Sequence, residues 1–131
     1  MTPEQQILQS CHTIAVVGLS SNPLRPSYEI AEFMQRRGYR IIPVNPHEVE
    51  VLGEKCYARL EDIPGKVDCV NVFRRPEYVP AIVESAIAIG ARAVWLQLGI
   101  SHDEAIARAE AAGLLAVQSR CLLIEYKRYF R

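Results

Sequence analysis

The densest chemistry in the chain lies in ten residues, Gly18-Leu-Ser-Ser-Asn-Pro-Leu-Arg-Pro-Ser27. Gly18 permits a sharp turn, Ser20, Ser21 and Ser27 offer hydroxyls, and a helical pattern opens directly afterwards. A helix N-terminus presents backbone N–H groups without intrahelical acceptors, and these attract anions. Arg25 adds a permanent positive charge and a planar fork that suits phosphate oxygens. The chemistry implied is phosphate binding, although a plain hydrophilic strand-to-helix connection would use similar residues. The nicotinamide fingerprint fails here. Counting G-x-G-x-x-G from Gly18 puts Ser20 and Pro23 where glycines belong, and no Asp or Glu stands in Val44-Asn45-Pro46 for a ribose 2′-hydroxyl. No G-K-S/T follows Gly18, so a Walker A loop is absent too.

Other segments place polar or cationic groups at the ends of apolar runs. Val44-Asn45-Pro46 reads either as a turn, since Asn-Pro initiates turns, or as a flat wall for an adenine. Phe73-Arg74-Arg75-Pro76 closes an apolar run with an aromatic and two arginines, which either lie over a site or face solvent. Gln97-Leu98-Gly99 and residues 118–121 complete the set. His12, His47 and His102 sit in separate segments without metal-ligand spacing and are expected to be structural or solvated. Cys11, Cys56, Cys69 and Cys121 are 45, 13 and 52 positions apart, which encodes neither a zinc knuckle nor a CxxC redox pair. Cys121 could meet a bound thiol or simply pack. No Ser-His-Asp, Cys-His or paired-carboxylate arrangement is readable, so no catalytic residue and no metal ligand are assigned.

These segments need a scaffold, and the spacing of apolar residues supplies one. Short β-branched runs at 13–17, 40–44, 67–73, 91–98 and 114–117 suit strands covered on both faces, as in a parallel sheet. Helical periods fill 28–37, 79–89 and 103–112, with further helices at about 3–10 and 122–129. Gly38, Gly90 and Gly113 follow the helices as C-terminal stops, and Ser27, Ser101 and Asp103 are candidate N-caps. Residues 45–65 carry two prolines and two glycines and are expected to hold little regular structure beyond a turn at 60–63. Alternating strands and helices predict a doubly wound, Rossmann-like α/β fold. The expected five-stranded order is 3-2-1-4-5, in preference to 2-1-3-4-5, with helices on both faces. The ligand crevice would then lie between strands one and four, beyond their carboxyl ends.

A chain of 131 residues matches one domain, residues 1–131, and 50% hydrophobic content can build a core without staples. Fifteen Lys and Arg balance fifteen Asp and Glu, which argues against nucleic acid and against an anionic membrane as partners. No apolar run nears the roughly 20 residues of a membrane span, and the first residues lack the order of a signal peptide. Reduced thiols in the cytoplasm are the expectation.

Taken together, Ile14-Ala-Val-Val-Gly-Leu-Ser20, Val44-Asn-Pro46, Phe73-Arg-Arg-Pro-Glu77, Val94-Trp-Leu-Gln-Leu-Gly99 and Ser119-Arg-Cys121 resemble the small stand-alone CoA-binding proteins. Those are similar to the CoA-binding Rossmann domain of the succinyl-CoA synthetase α subunit. The resemblance implies a cytoplasmic protein that binds coenzyme A or an acyl-CoA as a non-catalytic carrier, sensor or accessory module. It assigns the CoA phosphates to Gly18, Ser20, Ser21, Arg25 and Ser27, and the adenosine to Val44, Asn45 and Pro46. Phe73 and Arg74 would flank the nucleotide or pantetheine, and Gln97 and Gly99 would face the pantetheine end. The missing carboxylate at 44–46 is then expected, because it would repel a phosphorylated ribose. In the synthetase a phosphorylated histidine comes from a second domain, so succinyl-CoA synthesis is not expected of these residues alone. Three alternatives stay open: a CoA-dependent enzyme, a thiol-exchange protein using Cys121, and a regulatory subunit of an acyl-CoA ligase. Self-association and a partner enzyme are both compatible with the sequence.

Overall fold

Five of the apolar runs pair side by side as parallel strands because each is apolar on both faces. They are β1 (Thr13–Val17), β2 (Arg40–Val44), β5 (Cys69–Val72), β6 (Ala93–Leu96) and β7 (Leu115–Val117). Between β2 and β5 lies a short antiparallel hairpin, β3 (Glu50–Val51) and β4 (Glu54–Lys55). The computed structural model describes residues 1–130; Arg131, the last residue of the expected domain, lies outside the described residues. Along β1, Ile14 and Val16 face one side with Ile41, Cys69 and Trp95, while Ala15 and Val17 face the other with Ile42, Val70 and Leu96. Helices α1 (Pro3–Ser10), α2 (Pro26–Arg36) and α5 (Leu122–Tyr129) cover the first face through Ile7, Ile30, Met34 and Leu122. Helices α3 (Val79–Ala88) and α4 (Asp103–Ala111) cover the second through Val83, Ala86, Ala105 and Ala109. The doubly wound α/β class is borne out.

The strand order is not the one expected. The sheet runs β2-β1-β5-β6-β7, which is 2-1-3-4-5 when only its own strands are counted. Pro43 explains why strand two stands at the edge. It has no N–H, and its outward carbonyl accepts only the N–H of Tyr57, at 3.0 Å. A full neighbour on that side would meet a proline without a donor, so a single bridge at Tyr57 forms there instead. The chain then crosses to the far side of β1, where Asp68 fixes the new pairing. Its carboxylate accepts the N–H groups of His12 and Thr13 at 2.9 and 3.0 Å, and its own N–H donates to the Thr13 carbonyl at 3.0 Å. The topological switch point therefore lies between strands one and three of the sheet, β1 and β5, rather than between one and four.

Burial disfavours the Asp68 carboxylate, but the His12 and Thr13 N–H groups with Arg92 outweigh it and hold the carboxyl below its usual range. A depressed folded-state pKa gives stability that is complete above the unfolded value and lost as pH falls through the folded one. Asp68→Asn should cost about 1–2 kcal/mol at pH 7. The gap between wild type and variant should close below about pH 4, read as melting temperature against pH.

Local details also differ from expectation. Residues 45–65 contain the β3–β4 hairpin, whose turn places Leu52 at φ +55° and Gly53 at +77°. Leucine is no signature of such a turn, and Leu52 is held by a bond from the Gln35 side chain to its carbonyl at 3.1 Å. Helix α2 starts at Pro26 with Arg25 as N-cap, so Ser27 lies inside the helix, because proline favours the first helical position. In α4 the cap is His102, whose Nδ1 accepts the Ala105 N–H at 3.1 Å, rather than Ser101 or Asp103.

Candidate functional site

Strand β1 ends at Gly18, and three loops meet there. Gly18 donates its N–H to the Val44 carbonyl at 2.8 Å and has φ +91°. A Cβ on it would lie 2.7 Å from the Phe73 carbonyl oxygen. Glycine is thus required twice over, by its backbone angle and by the close passage of the loop after β5.

The serine loop is knitted together more tightly than its sequence suggests. The buried Ser27 Oγ accepts the Ser20 N–H at 3.1 Å, Ser20 Oγ accepts the Asn22 N–H at 3.0 Å, and Asn22 Oδ1 accepts the Leu24 N–H at 2.9 Å. The Ser21 N–H donates to Glu48 at 2.7 Å. Most amides expected to be free are therefore engaged inside the protein. The N–H of Ser27, in the first turn of α2, has no acceptor among the described residues. Arg25 is exposed and makes no ion pair among the described residues.

Glu48 corrects the expectation that strand two brings no carboxylate to the site. Residues 44–46 hold none, but Asn45 turns the chain back. Its Nδ2 donates to the Leu19 carbonyl at 3.1 Å, and its Oδ1 accepts the His47 N–H at 2.9 Å. That turn delivers Glu48 to the serine loop, where hydrogen bonds from the Ser21 backbone and hydroxyl hold its carboxyl below the usual range. The Asn-Pro signal marked the turn; its target two residues later was not readable.

Three adjoining cavities surround the switch point. One of about 340 Å³ is lined by Gly18, Ser20, Arg25, Pro26, Ser27 and Phe73. A cleft of about 580 Å³ shares Pro26 and Phe73 with it and continues along Ile30, Gln97, Gly99, Ile100 and Cys121. A third, of about 350 Å³, lies between Val17, Val44, Leu60 and Tyr78 and shares Arg74 with the cleft. Gly18, Ser20, Arg25, Ser27, Val44, Phe73, Arg74, Gln97 and Gly99 thus line three neighbouring cavities. Ser21, Asn45 and Pro46 line none of the three cavities; Ser21 and Pro46 are exposed, and Asn45 serves the turn.

The far loops are also fixed. Arg74 is half-buried, with its guanidinium 4.3 Å from the centre of the Tyr78 ring. Tyr78 was not singled out from the sequence, although its position four residues after an arginine suits such stacking. Arg75 faces solvent, 3.9 Å from Glu77, in a surface pair of little energetic weight. Gly99 donates its N–H to Ser119 Oγ at 3.1 Å, and the indole of the fully buried Trp95 donates to the Arg120 carbonyl at 2.8 Å. His12 and His47 are exposed, and among the described residues no group of three His, Cys, Asp or Glu could hold a metal ion. No helix among them is long and apolar enough to cross a membrane.

The arrangement can take an anion at the hydroxyl-lined cavity and an elongated, mainly apolar chain in the cleft beside it. A family model described as a CoA binding domain matches residues 12–127. The chain belongs to that family. Coenzyme A is accordingly the ligand of this CoA binding domain, and the family expected from the five sequence motifs is borne out. The domain is 39% identical to the protein YneT of Bacillus subtilis over 93% of its own length and 90% of YneT. It is 41% identical to the α subunit of an ADP-forming acetate–CoA ligase II of Pyrococcus furiosus, over 50% of this chain but only 15% of that subunit. Among solved structures, a hypothetical protein of Pyrococcus horikoshii superposes with a TM-score of 0.95 at 38% identity, covering 100% of this chain and 94% of that one. The CoA binding domain is thus related to acyl-CoA ligase subunits.

Proposed function

We propose that the domain, taken as residues 1–131, holds the charged half of coenzyme A at the mouth of the β1–α2 turn without catalysis of its own. The observation that carries this reading is the cavity at the switch point, where the Ser27 N–H and Arg25, neither paired among the described residues, line one space with Gly18. Gly18, Ser20, Ser21, Arg25 and Ser27 would receive the phosphates, with Ser21 contributing once Glu48 has moved away. The adenosine would lie toward Val44, Asn45 and Pro46, and Phe73 and Arg74 would stand between it and the pantetheine. Gln97 and Gly99 would line the path of the pantetheine along the cleft. No His, Asp or Glu lines that cleft among the described residues, which supports a carrier, sensor or accessory role rather than acid–base catalysis. Catalysis would belong to a separate partner enzyme such as an acyl-CoA ligase. Four unbridged cysteines support a reducing, cytoplasmic setting.

The test is thermal melting with CoA, ADP, NAD and NADP in parallel. CoA at a hundredfold excess over Kd should add about 2.7 kcal/mol of stability; an unchanged melting temperature with CoA beside a rise with NADP overturns the reading. Arg25→Ala should weaken CoA binding by roughly ten- to a hundredfold, the loss of one hydrogen bond to a charged group, measured by calorimetry. Glu48→Gln should act in the opposite direction and tighten CoA by roughly two- to fivefold at low salt. That gain should shrink as salt rises, because Arg25 is exposed and Glu48 only half-buried.

A further inference from the structure

We infer that Cys121 is a thiol-exchange site, at which the disulfide form of coenzyme A becomes covalently attached to the protein. The inference rests on the proposed seating of CoA, with its pantetheine in the 580 Å³ cleft. Cys121, itself 8% exposed, forms part of the wall of that cleft together with Phe73 and Gln97. Gln97 supplies an independent sign that the cleft receives a ligand. Its side chain is only 5% exposed, yet its Oε1 has no hydrogen-bond partner among the described residues. A buried amide oxygen without a partner is costly, and the amides of a pantetheine arm carry N–H groups of the kind it lacks.

The other cysteines do not share this position. Cys69 lies in the middle of the sheet with no exposure, and burial pushes its thiol far above the usual range. Cys11 is packed under α1, and burial raises its thiol too. Cys56 directs its thiol at the Asn45 carbonyl, 3.4 Å away. Cys121 is the cysteine that combines a place on the cleft with a place at the N-cap of α5.

The step balances without an external oxidant. The Cys121 thiolate attacks one sulfur of CoA disulfide, a bond forms between Sγ and that sulfur, and the S–S bond of the reagent breaks. The second CoA leaves as a thiolate with the electron pair, so one disulfide is exchanged for another. The protein then holds one CoA through a mixed disulfide that a reductant or a second thiol releases.

The experiment incubates the reduced full chain with CoA disulfide or with glutathione disulfide at equal concentration and follows intact mass. One CoA adduct should form, be removed by dithiothreitol, and appear about tenfold or more faster than the glutathione adduct, because binding holds the two sulfurs together. Cys121→Ser should abolish the adduct while keeping the fold, since serine is a favourable N-cap; Cys11→Ser should leave the adduct in place. Equal modification of Cys121→Ser and wild type, or equal rates with both disulfides, overturns the inference. Melting of the same samples with reduced CoA separates the two readings. Stabilisation without an adduct defeats thiol exchange alone, and absence of stabilisation defeats the seating of CoA as well.

Discussion

Gly18→Ala is expected to destabilise the protein by about 3 kcal/mol, combining the strain of a side chain at positive φ with a contact that cannot relax. The added Cβ would sit 2.7 Å from the Phe73 carbonyl, a backbone atom held in place because the Phe73 N–H donates to the Val17 carbonyl at 2.9 Å. For a chain of this size the melting temperature should fall by roughly 10 °C. Gly38→Ala is the matched control. Gly38 also has positive φ, +97°, but nothing lies within 4 Å of its added Cβ, so it should lose only about 1–2 kcal/mol. Equal losses in the two variants would show that the approach of the β5 loop is not what demands glycine. Because the Phe73 loop walls both the small cavity and the cleft, Gly18→Ala should also weaken CoA more than Gly38→Ala does.

The second large effect is expected at Trp95. Its ring is fully buried in the middle of β6, and its indole N–H holds the Arg120 carbonyl at 2.8 Å. Trp95→Ala should cost about 3–5 kcal/mol through the cavity it leaves. Trp95→Phe keeps most of the packing and releases only the carbonyl, for about 1 kcal/mol. The smaller change is the more informative for function. Arg120 directly precedes Cys121, so a loosened Arg120 turn should slow adduct formation at Cys121 while lowering the melting temperature by only about 3 °C. Unfolding by urea and the rate of mass increase on the same preparation would check both halves.

Much of this architecture could be read from residue types. The strands at 13–17 and 40–44 have the expected bounds, because continuous apolar runs flanked by polar turns leave little choice. The strand order was harder. A crossover without a long helix between 45 and 68 gives no direction, and the deciding residue, Pro43, acts through a hydrogen bond that it cannot donate. The hairpin at 50–55 was hidden because Leu52 takes a backbone angle that leucine seldom adopts. At the site, residue chemistry drew attention to Gly18, Arg25, Ser27 and Gln97, and all of them line the adjoining cavities. Pairwise contacts were not legible. That Glu48 would reach Ser21, that Arg74 would lie on Tyr78, and that the serine hydroxyls would serve the loop's own amides all depend on how turns bring distant positions together.

The most direct measurement is a crystal structure grown with reduced coenzyme A. The diphosphate should appear in the cavity between Gly18 and Ser27, accepting the Ser27 N–H, with Arg25 closed over it and Glu48 displaced from the Ser21 amide. Coenzyme A seated elsewhere on the molecule, with Glu48 still bonded to Ser21 and that cavity empty of phosphate, would contradict the account.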